Sequence, residues 1–330
     1  MILVTGGAGF IGSNLVAGLE ARGANDIVVC DRLGTDKKWR NIAKRDLSDL
    51  IAPKDLPAFI DSYSSRLDAV FHLGAISATT ETDVDLIIEN NFRVSRDLWI
   101  QCARHRTPLI YASSAATYGD GRQGFDDDGS RQALSGLAPL NAYGWSKHLF
   151  DRWIAGQIDN RQKAQQPPQW AGLKFFNVYG PNEYHKAGQI SVALKNFREI
   201  SDGGEAVLFR SHHPDYKDGG QMRDFIWVDD CVEIMVWLME NPAASGLFNV
   251  GTGKARRFGD LAKAVFKELN QQPEIRYVDT PLPIRDKYQY FTEAKITRLR
   301  HAGYSKPFTG LEQGVARYVQ DFLLKDDPYL

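Results

Sequence analysis

Tyr143 and Lys147 stand four residues apart in the segment NAYGWSKHLF, which we predict to be helical. Side chains at that spacing project from one face of a helix. A tyrosine hydroxyl has a pKa of about 10 and is a poor base at neutral pH, but a neighbouring lysine ammonium stabilises the phenolate. The pair therefore predicts a tyrosine that accepts the proton of an alcohol during its oxidation.

Ser114 offers a hydroxyl that could bond the same alcohol oxygen. It lies in the segment SSAATYG, directly after a strand predicted at Leu109–Ser113. Tyrosine and lysine occur at this spacing by chance in many helices, so the pair carries weight only if an oxidant binds beside it. The residues that could hold an oxidant lie in the first strand and the turn after it.

Three glycines at a spacing of three, Gly6, Gly9 and Gly12, lie in the stretch ILVTGGAGFIG. The apolar run before them predicts a buried strand, and the apolar spacing after Gly12 predicts a helix. Such glycines let the backbone turn tightly and approach a pyrophosphate, which the helix N-terminus attracts. We therefore predict a dinucleotide site rather than a glycine-rich turn without a ligand.

The type of dinucleotide depends on the residues after the second predicted strand, Asp26–Cys30. Asp31 can accept hydrogen bonds from an adenosine ribose, which is typical of NAD sites. Arg32, Lys37 and Lys38 offer positive charge for a 2′-phosphate and favour NADP. These basic residues could equally belong to a solvated loop, so we expect NADP, with NAD as the alternative.

Strands alternate with helices as far as about residue 176, which predicts an α/β fold: a Rossmann-type, doubly wound parallel sheet with helices on both faces. A loop is expected at Pro167-Pro168, within RQKAQQPPQ. The other predicted elements are a third strand within Trp39–Asp49, a helix at Leu56–Ile60, a strand at Asp68–Leu73, a helix at Asp85–His105 with Leu86, Asn90, Val94, Leu98 and Cys102 on one face, and a strand at Leu173–Asn177.

The regular alternation ends after Gly180-Pro181, where short segments alternate with loops rich in Gly, Pro, His and Asp. From Arg223 the sequence predicts a strand and a helix that return to the large domain. We therefore predict a dinucleotide-binding domain of residues 1–176 plus about 223–245. A smaller, interleaved C-terminal α/β lobe of about 177–222 and 246–330 would bind the substrate.

Composition excludes several classes of protein. With 330 residues, 43% hydrophobic, 25% charged and a formal net charge of −1, the chain is typical of a globular protein without a nucleic-acid surface. Its apolar runs are far shorter than the roughly 20 residues of a membrane helix. The first strand follows Met1 directly, so we expect no signal peptide and a cytoplasmic protein. The cysteines lack disulfide or metal spacing, and His212-His213 with Asp215 lacks further ligands, so no metal is predicted.

These motifs together resemble the extended short-chain dehydrogenase/reductase superfamily. They extend over essentially the whole chain: the glycine stretch Thr5–Gly12, the Ser114 segment, Tyr143 with Lys147, and Arg223-Asp224-Phe225. Members mostly epimerise, dehydrate or reduce nucleotide-linked sugars. The 4,6-dehydratases carry an acidic pair where this chain has Ala115 and Ala116, so the resemblance does not extend to dehydration.

Three further segments resemble the ADP-L-glycero-D-manno-heptose 6-epimerase family: YASSAATYG from Tyr111, KFFNVYGPNEYHK from Lys174 and KYQYFTEAK from Lys287. The resemblance implies an isomerase that inverts C6 of ADP-heptose through a transient 6-keto sugar and supplies heptose for the lipopolysaccharide inner core. It implies a tightly held NADP that is regenerated in each turnover and a second acid/base at Lys186. It also implies a homo-oligomer, with pentamers among the relatives.

The motifs and the resemblance together place the cofactor against Gly6, Gly9, Phe10, Ile11, Gly12, Asp31, Arg32, Lys38, Lys54, Leu73, Gly74, Ala75, Ile76, Ser77, Asn90, Tyr143 and Lys147. They place the ADP-sugar against Ser114, Asn177, Val178, Gly188, Lys195, Phe209, Arg210, Ser211, His212, Arg223 and Tyr288. Arg223 is suited to the diphosphate. The chain departs from the family at Leu73, where an acidic residue is common, at Gly188, where a serine is common, and in a longer segment 210–221.

Two other functions stay open. An enzyme of the UDP-hexose 4-epimerase type manages with a single tyrosine base by turning the whole sugar, so Lys186 separates it from the 6-epimerases. Lys186 could otherwise be a surface or diphosphate-binding lysine. A non-catalytic dinucleotide-binding protein would typically lack the tyrosine or the lysine, and both Tyr143 and Lys147 are present.

Overall fold

A computed structural model of the chain describes residues 1–159, 165–285 and 288–330. Part of the predicted polar loop (160–164) and Lys287 of the KYQYFTEAK motif lie outside the described residues. The strands are β1 (Ile2–Thr5), β2 (Ile27–Cys30), β3 (Asp49–Ile51), β4 (Ala69–His72), β5 (Leu109–Ser114), β6 (Trp170–Phe175), β7 (Asn177–Tyr179), β8 (Ala206–Phe209), β9 (Met222–Trp227), β10 (Gly246–Val250), β11 (Ala255–Arg257) and β12 (Ile275–Val278).

The α-helices are α1 (Phe10–Glu20), α2 (Leu56–Tyr63), α3 (Val84–Ile87), α4 (Val94–His105), α5 (Arg131–Ser135), α6 (Ala142–Asp159), α7 (Val192–Gly203), α8 (Val228–Glu240), α9 (Phe258–Glu268), α10 (Leu282–Arg285), α11 (Thr297–His301) and α12 (Leu311–Arg317). Short 3₁₀ turns and two π-helical segments connect some of them. None of the helices in the described residues is long and apolar enough to cross a bilayer.

The central sheet contains seven strands in the order β10-β6-β5-β4-β1-β2-β3, and every neighbouring pair is parallel. β1 lies between β2 and β4, so the connections leave it in opposite directions across the sheet. Ligands of open α/β sheets bind beyond the carboxyl ends of the strands at such a switch point. The predicted doubly wound fold is therefore confirmed, and the glycine turn after β1 lies at its switch point.

Helices cover both faces of this sheet because successive strand side chains point in opposite directions. Val4 belongs to the core cluster that includes Leu15 of α1 and Met235 of α8. Its neighbour Leu3 points into the other cluster, with Leu98 of α4 and others from α6. A strand buried on both faces is a nearly continuous apolar run, as Ile2, Leu3 and Val4 of β1 are.

A smaller lobe stands beside the carboxyl ends of the strands. It contains a three-stranded sheet in the order β11-β9-β7, the parallel pair β8 and β12, and a core between α7, α9 and α12. The strand predicted from Arg223 is β9, which belongs to this lobe and not to the large domain as predicted. The helix after it is α8, which packs on α1. β10 pairs with β6 in the large sheet. The predicted boundary at about 245 is therefore wrong, because the large sheet also includes this strand.

Two predicted strands are displaced in the structure. A 3₁₀ helix, Lys37–Ile42, occupies the start of Trp39–Asp49, and the third strand begins only at Asp49. This strand is only three residues long and largely exposed, as suits the edge of the sheet, so its apolar signal is weak. The predicted strand Leu173–Asn177 divides at Phe176, whose N–H bonds the carbonyl of Val250, so that Asn177 begins β7 in the other sheet.

The predicted long helix Asp85–His105 contains a π-helical stretch, Ile88–Arg93, between α3 and α4. The wider turn changes which side chains face the core. Leu86 is exposed, and Asn91 and Ser95 are buried in place of the expected Asn90 and Val94. The prediction of this face is therefore wrong in its first half.

Candidate active site

One cleft of about 490 Å³ lies at the switch point of the large sheet. Residues from the glycine turn, from the ends of β2, β4 and β5 and from the start of α6 line it together. It brings together most of the residues predicted for the cofactor: Gly6, Gly9, Phe10, Ile11, Gly12, Asp31, Lys38, Leu73, Gly74, Ala75, Ser77, Tyr143 and Lys147.

The glycine turn has no room for side chains. Gly6 adopts φ +69°, and a Cβ on it would lie 2.5 Å from the backbone nitrogen of Gly74. A Cβ on Gly12 would lie 2.1 Å from the carbonyl oxygen of Gly6. Gly9 is the N-cap residue of α1 and has no side chain that could bond the N–H groups of the first turn. The backbone N–H groups of α1 therefore face the cleft directly, and the residues present fit the pyrophosphate of a dinucleotide.

Asp31 at the end of β2 is held in place by several partners. Its carboxylate accepts hydrogen bonds from the Ala8 N–H at 2.9 Å and the Arg32 N–H at 2.7 Å. The Lys38 ammonium lies 2.6 Å from the same carboxylate. Asp31 can thus accept hydrogen bonds from a ribose while Lys38 supplies positive charge beside it.

Four residues predicted for the cofactor do not line this cleft: Arg32, Lys54, Ile76 and Asn90. Arg32 and Lys54 are exposed on the segments after β2 and β3. The Asn90 side chain donates to the carbonyl of Leu86 at 2.8 Å. Its neighbour Asn91 instead accepts from the Ile76 N–H at 2.8 Å and donates to the Ile76 carbonyl at 2.9 Å.

Helix α6 presents Tyr143 and Lys147 to the cleft. The Asn141 carboxamide accepts a hydrogen bond from the Gly144 N–H at 2.8 Å and so caps the first turn. A Cβ on Gly144 would lie 2.8 Å from the Ala116 carbonyl, so the helix passes close to the segment that carries Ser114. The predicted group of Tyr143, Lys147 and Ser114 is therefore brought together in one cleft.

Burial controls the protonation of this group. It raises the pKa of the Tyr143 hydroxyl, while the hydrogen bond with Ser114 lowers it. Burial also lowers the pKa of Lys147 to about 8, against the pull of Asp151. Lys147 was expected to lower the pKa of Tyr143, but Ser114 is the group found to do so. In the chain alone Tyr143 is therefore held as a neutral hydroxyl.

A buried polar network below α6 supports these residues, and sequence reasoning missed it. Asp151 and Lys174 form an ion pair at 2.8 Å with both side chains fully buried. Asp151 also accepts hydrogen bonds from Ser113 at 2.7 Å and Tyr111 at 3.0 Å. Because Asp151 follows Tyr143 by eight residues on the same helix face, its position was the available signal.

Lys186 lines the same cleft from the segment after β7. Its Nζ lies 5.1 Å from the centre of the Phe10 ring, next to the glycine turn. Burial lowers the pKa of its ammonium, and the nearby Glu183 carboxylate acts in the opposite direction. His185, which was not predicted, lines the cleft beside it, near Lys38.

A second cleft of about 510 Å³ adjoins the first and shares Tyr143, Ser114 and Asn177 with it. The Arg223 guanidinium lies between the rings of Tyr288, at 5.4 Å, and Phe258, at 5.6 Å. Among the described residues no carboxylate lies within 4 Å of it, since it donates instead to the carbonyls of Met222 and Gln289. A buried guanidinium without a carboxylate partner suits an anionic group.

The other residues predicted for the substrate are distributed around these clefts. Val178 lines the first cleft, and Gly188 lines a third that also includes Lys186. The Phe209 ring packs against Tyr288 at 6.0 Å. Three further residues take part in local contacts outside the two main clefts: Lys195 bonds the Val207 carbonyl, Ser211 bonds Asp218, and the His212 N–H bonds Tyr290, with Arg210 beside them. In the parts of the chain that the structure describes, no three His, Cys, Asp or Glu side chains form a metal site.

Comparison with known proteins places this site in a family. Residues 2–251 match the NAD dependent epimerase/dehydratase family. A protein of Nitratidesulfovibrio vulgaris strain DP4 named ADP-L-glycero-D-manno-heptose-6-epimerase is 50% identical, with 100% of both chains covered. A protein of Fusobacterium nucleatum with the same name is 45% identical over 100% of both chains. The chain belongs to the NAD-dependent epimerase/dehydratase family.

Solved structures agree with this family. The crystal structure of Helicobacter pylori ADP-L-glycero-D-manno-heptose-6-epimerase has a TM-score of 0.77 at 27% identity and covers 97% of this chain and 95% of its own. A Thermus thermophilus UDP-glucose 4-epimerase in complex with NAD has a TM-score of 0.73 at 25% identity and covers 96% and 97%. The resemblance predicted from the sequence and the assignment of an isomerase are confirmed, and the family supports a nicotinamide dinucleotide as cofactor.

Proposed function

We propose that this epimerase inverts C6 of ADP-D-glycero-β-D-manno-heptose to give ADP-L-glycero-β-D-manno-heptose. The names of the relatives at 50% and 45% identity support this substrate. The observation that carries the proposal is the joint presence of Tyr143 and Lys186 in one cleft. Arg223 in the adjoining cleft is suited to the diphosphate of the nucleotide.

Inversion of an alcohol carbon requires a proton acceptor in one pose of the sugar and a proton donor in the other. When bound, the dinucleotide would accept a hydride from C6 and later return it to the opposite face of that carbon. Tyr143 would take the proton of the 6-hydroxyl, while Ser114 bonds the same oxygen and Lys147 favours the phenolate. After the 6-keto sugar turns about its C5–C6 bond, the oxygen lies elsewhere, and Lys186 would return a proton to it.

The charges of these residues suit the division of roles. Glu183 favours the ammonium form of Lys186, which has to carry a proton in order to donate one. Tyr143 is neutral in the chain alone, so a further positive charge is needed before it accepts a proton. The nicotinamide cation of a bound oxidised dinucleotide would supply that charge and add to the charge of Lys147 on the next turn of α6.

An enzyme of the UDP-hexose 4-epimerase type is the second candidate. The fold it would need is present, as the likeness to the Thermus thermophilus enzyme indicates. A single tyrosine serves that reaction, and Lys186 would then have no catalytic role. A non-catalytic dinucleotide-binding protein is disfavoured because Tyr143, Lys147 and Ser114 are assembled in the cleft.

Turnover of purified ADP-heptose would test the proposal. The two C6 epimers are resolved by chromatography after incubation with enzyme and dinucleotide, with UDP-glucose as the competing substrate in a parallel reaction. We expect interconversion of the heptose epimers to an equilibrium mixture and no UDP-galactose. Absence of heptose interconversion with cofactor bound would contradict the proposal, and UDP-galactose formation would favour the second candidate.

NADP is the proposed form of the cofactor, supported by Lys38 beside Asp31. Calorimetric titration of cofactor-free protein with NADP and NAD would test it, and equal affinities would contradict a role for Lys38 in binding a 2′-phosphate. A tightly held cofactor regenerated in each turnover, a homo-oligomer, cytoplasmic location and supply of heptose to the lipopolysaccharide inner core belong to the same proposal.

A further inference from the structure

The segment that carries Lys186 has an unusual backbone. We define the Lys186 segment as Pro181–Gln189, which joins β7 to the helix α7. Two of its residues, Asn182 with φ +70° and Ala187 with φ +47°, adopt the left-handed conformation without being glycine. Such residues persist only where the surrounding structure holds them. The contacts that hold this segment should therefore control where Lys186 lies.

Residues remote in sequence make those contacts. We define the C-terminal clasp as Asp327–Leu330. The Tyr184 hydroxyl donates to the carbonyl of Pro328 at 2.8 Å, and the Tyr184 and Tyr329 rings meet edge to face at 5.1 Å. The Leu330 N–H donates to the Asn182 carboxamide oxygen at 3.1 Å. The clasp thus contacts the Lys186 segment at two of its residues.

The other side of the clasp contacts a segment that lines the cofactor cleft. This cofactor-side segment, Lys37–Lys44, includes the Lys38 that pairs with Asp31. The Lys44 ammonium donates to the Tyr329 carbonyl at 2.6 Å and lies 3.1 Å from the Asp327 carboxylate. The Arg40 guanidinium lies 4.4 Å from the centre of the Tyr329 ring.

Below the clasp, the two segments bond each other and the glycine turn. Asn41 donates to the carbonyl of Asn182 at 3.0 Å and to the carbonyl of Ala8 at 2.9 Å. The Asn182 amide donates to the Ser13 hydroxyl at 3.0 Å and to the Asn41 carbonyl at 3.3 Å. Asn182 and Asn41 are buried, so each of these contacts is shielded from water. The clasp is the outer layer of one network around the dinucleotide site.

We propose that the C-terminal clasp positions Lys186 and the cofactor-side segment over the bound dinucleotide, and so governs both cofactor retention and catalysis. The inference rests on the proposed function for the role of Lys186, whereas its effect on cofactor retention is independent of any sugar. The clasp residues do not line the clefts that hold Tyr143 and Arg223. They are positioning residues, and binding of the nucleotide sugar should depend on them little.

Deletion of residues 327–330 tests the clasp. The full chain and the deletion variant are loaded with reduced dinucleotide, and its fluorescence is followed after mixing with excess oxidised dinucleotide. We expect dissociation to be faster by roughly tenfold and kcat to fall by roughly tenfold to a hundredfold, because a small displacement of a catalytic group is costly. The KM for the nucleotide sugar should change by less than about twofold, since uniform binding is unaffected.

Lys325→Ala is the matched control. Lys325 lies two residues before the clasp, and its side chain is exposed and forms no ion pair or hydrogen bond with the described residues. Its variant should match the parent in both rates. Tyr184→Phe keeps the ring contact but removes the hydrogen bond to Pro328, and we expect an intermediate dissociation rate.

The possible outcomes distinguish a positioning role of the clasp from a general effect on stability, and they test it separately from the proposed function. A folded deletion variant with parental dissociation rate and kcat would overturn the clasp. If the deletion variant does not fold, the variants Tyr184→Phe and Lys44→Met test the proposal instead. A parental rate of cofactor dissociation in both variants would likewise overturn the proposed role of the clasp. Should the parent not epimerise ADP-heptose, the proposed function fails, and the dissociation rates still test the clasp.

Discussion

Lys147 and Lys186 are two lysines that line one cleft, but they are held there in different ways. Lys147 lies in the second turn of the long helix α6, where its position follows from helix geometry and from Tyr143 four residues earlier. Lys186 lies in a short segment with two left-handed residues, where it precedes a single 3₁₀ turn at Ala187–Gln189. The first lysine is positioned by its sequence neighbours, and the second by contacts from distant parts of the chain.

The supporting contacts make the difference concrete. Below Lys147, Asp151 of the same helix pairs with Lys174 of the adjacent strand β6. Below Lys186, the buried Glu183 accepts hydrogen bonds from Ser191 at 2.6 Å and from Tyr318, which is 135 residues away, at 3.0 Å. Substitutions of the catalytic residues of α6, which we call the helix region, should therefore affect the proton transfer directly. Substitutions around Lys186 should affect catalysis by displacing its ammonium group.

Tyr143→Phe should have the largest effect of all. It removes the hydroxyl that accepts the substrate proton and keeps the ring that fills the cleft, so kcat should fall by about a thousandfold. Cofactor binding should change little, since the glycine turn and Asp31 are untouched. Steady-state epimerisation and a cofactor titration measure the two effects. Residual activity within tenfold of the parent would mean that another group accepts the proton.

The helix region was predictable from the sequence because its rules are local. Tyr143 and Lys147 share a face through their spacing, and Gly6 and Gly12 must be glycine because the backbone leaves no room for a Cβ. The parallel sheet follows from apolar strands alternating with helices, as in β1, β4 and β5. Even here the π-helical turn at Ile88–Arg93 moved the buried face to Asn91, since no residue pattern marks such a turn.

The region around Lys186 could be predicted only in part. Resemblance to a family pointed to Lys186, but nothing in its neighbours indicates that Tyr318 or Pro328 contacts the same segment. The position of the edge strand β3 and the place of β10 in the large sheet were predicted wrongly for the same reason, because both depend on pairing with distant strands. Long-range contacts leave weak local signals in a single sequence.

Lys186→Ala should have the next largest effect. If Lys186 is the second acid/base, its loss should lower kcat by roughly a hundredfold and leave cofactor binding within about twofold. Lys263→Ala on the exposed face of α9 removes a comparable charge far from the clefts and should have no effect. Near-parental activity of the Lys186 variant would contradict the two-group mechanism and favour a single-tyrosine epimerase.

The pH dependence of kcat should report on Lys147. Burial lowers its pKa to about 8, so the ammonium loses its proton as the pH rises through that value. The positive charge that favours the Tyr143 phenolate is then lost, and kcat should fall by up to about tenfold per pH unit above it. Burial lowers the pKa of Lys186 as well, so a second measurement must separate the two lysines.

Lys147→Arg makes that separation. A guanidinium stays charged throughout the range, so a decline caused by Lys147 should disappear in this variant while kcat at pH 7 falls because the larger group fits poorly. A decline that persists unchanged would assign it to Lys186 instead. A parental kcat that is flat from pH 7 to pH 10 would contradict a titrating role for either lysine.

A pair of small substitutions should show the smallest effects and the clearest contrast between the two regions. Gly156→Ala in α6 meets nothing within 4 Å and should raise the free energy of unfolding by about 0.5–1 kcal/mol without changing kcat. Ala187→Gly removes the backbone strain of a left-handed alanine, which stabilises the folded state, but a glycine also raises the conformational entropy of the unfolded chain. The two effects on the free energy of unfolding should cancel to within about 0.5 kcal/mol. Its kcat should still fall by about twofold to threefold, because a more mobile backbone next to Lys186 spends less time in the productive position. Denaturant unfolding and steady-state kinetics on both variants measure the contrast. If Ala187→Gly left kcat unchanged, the left-handed backbone would have no part in positioning Lys186.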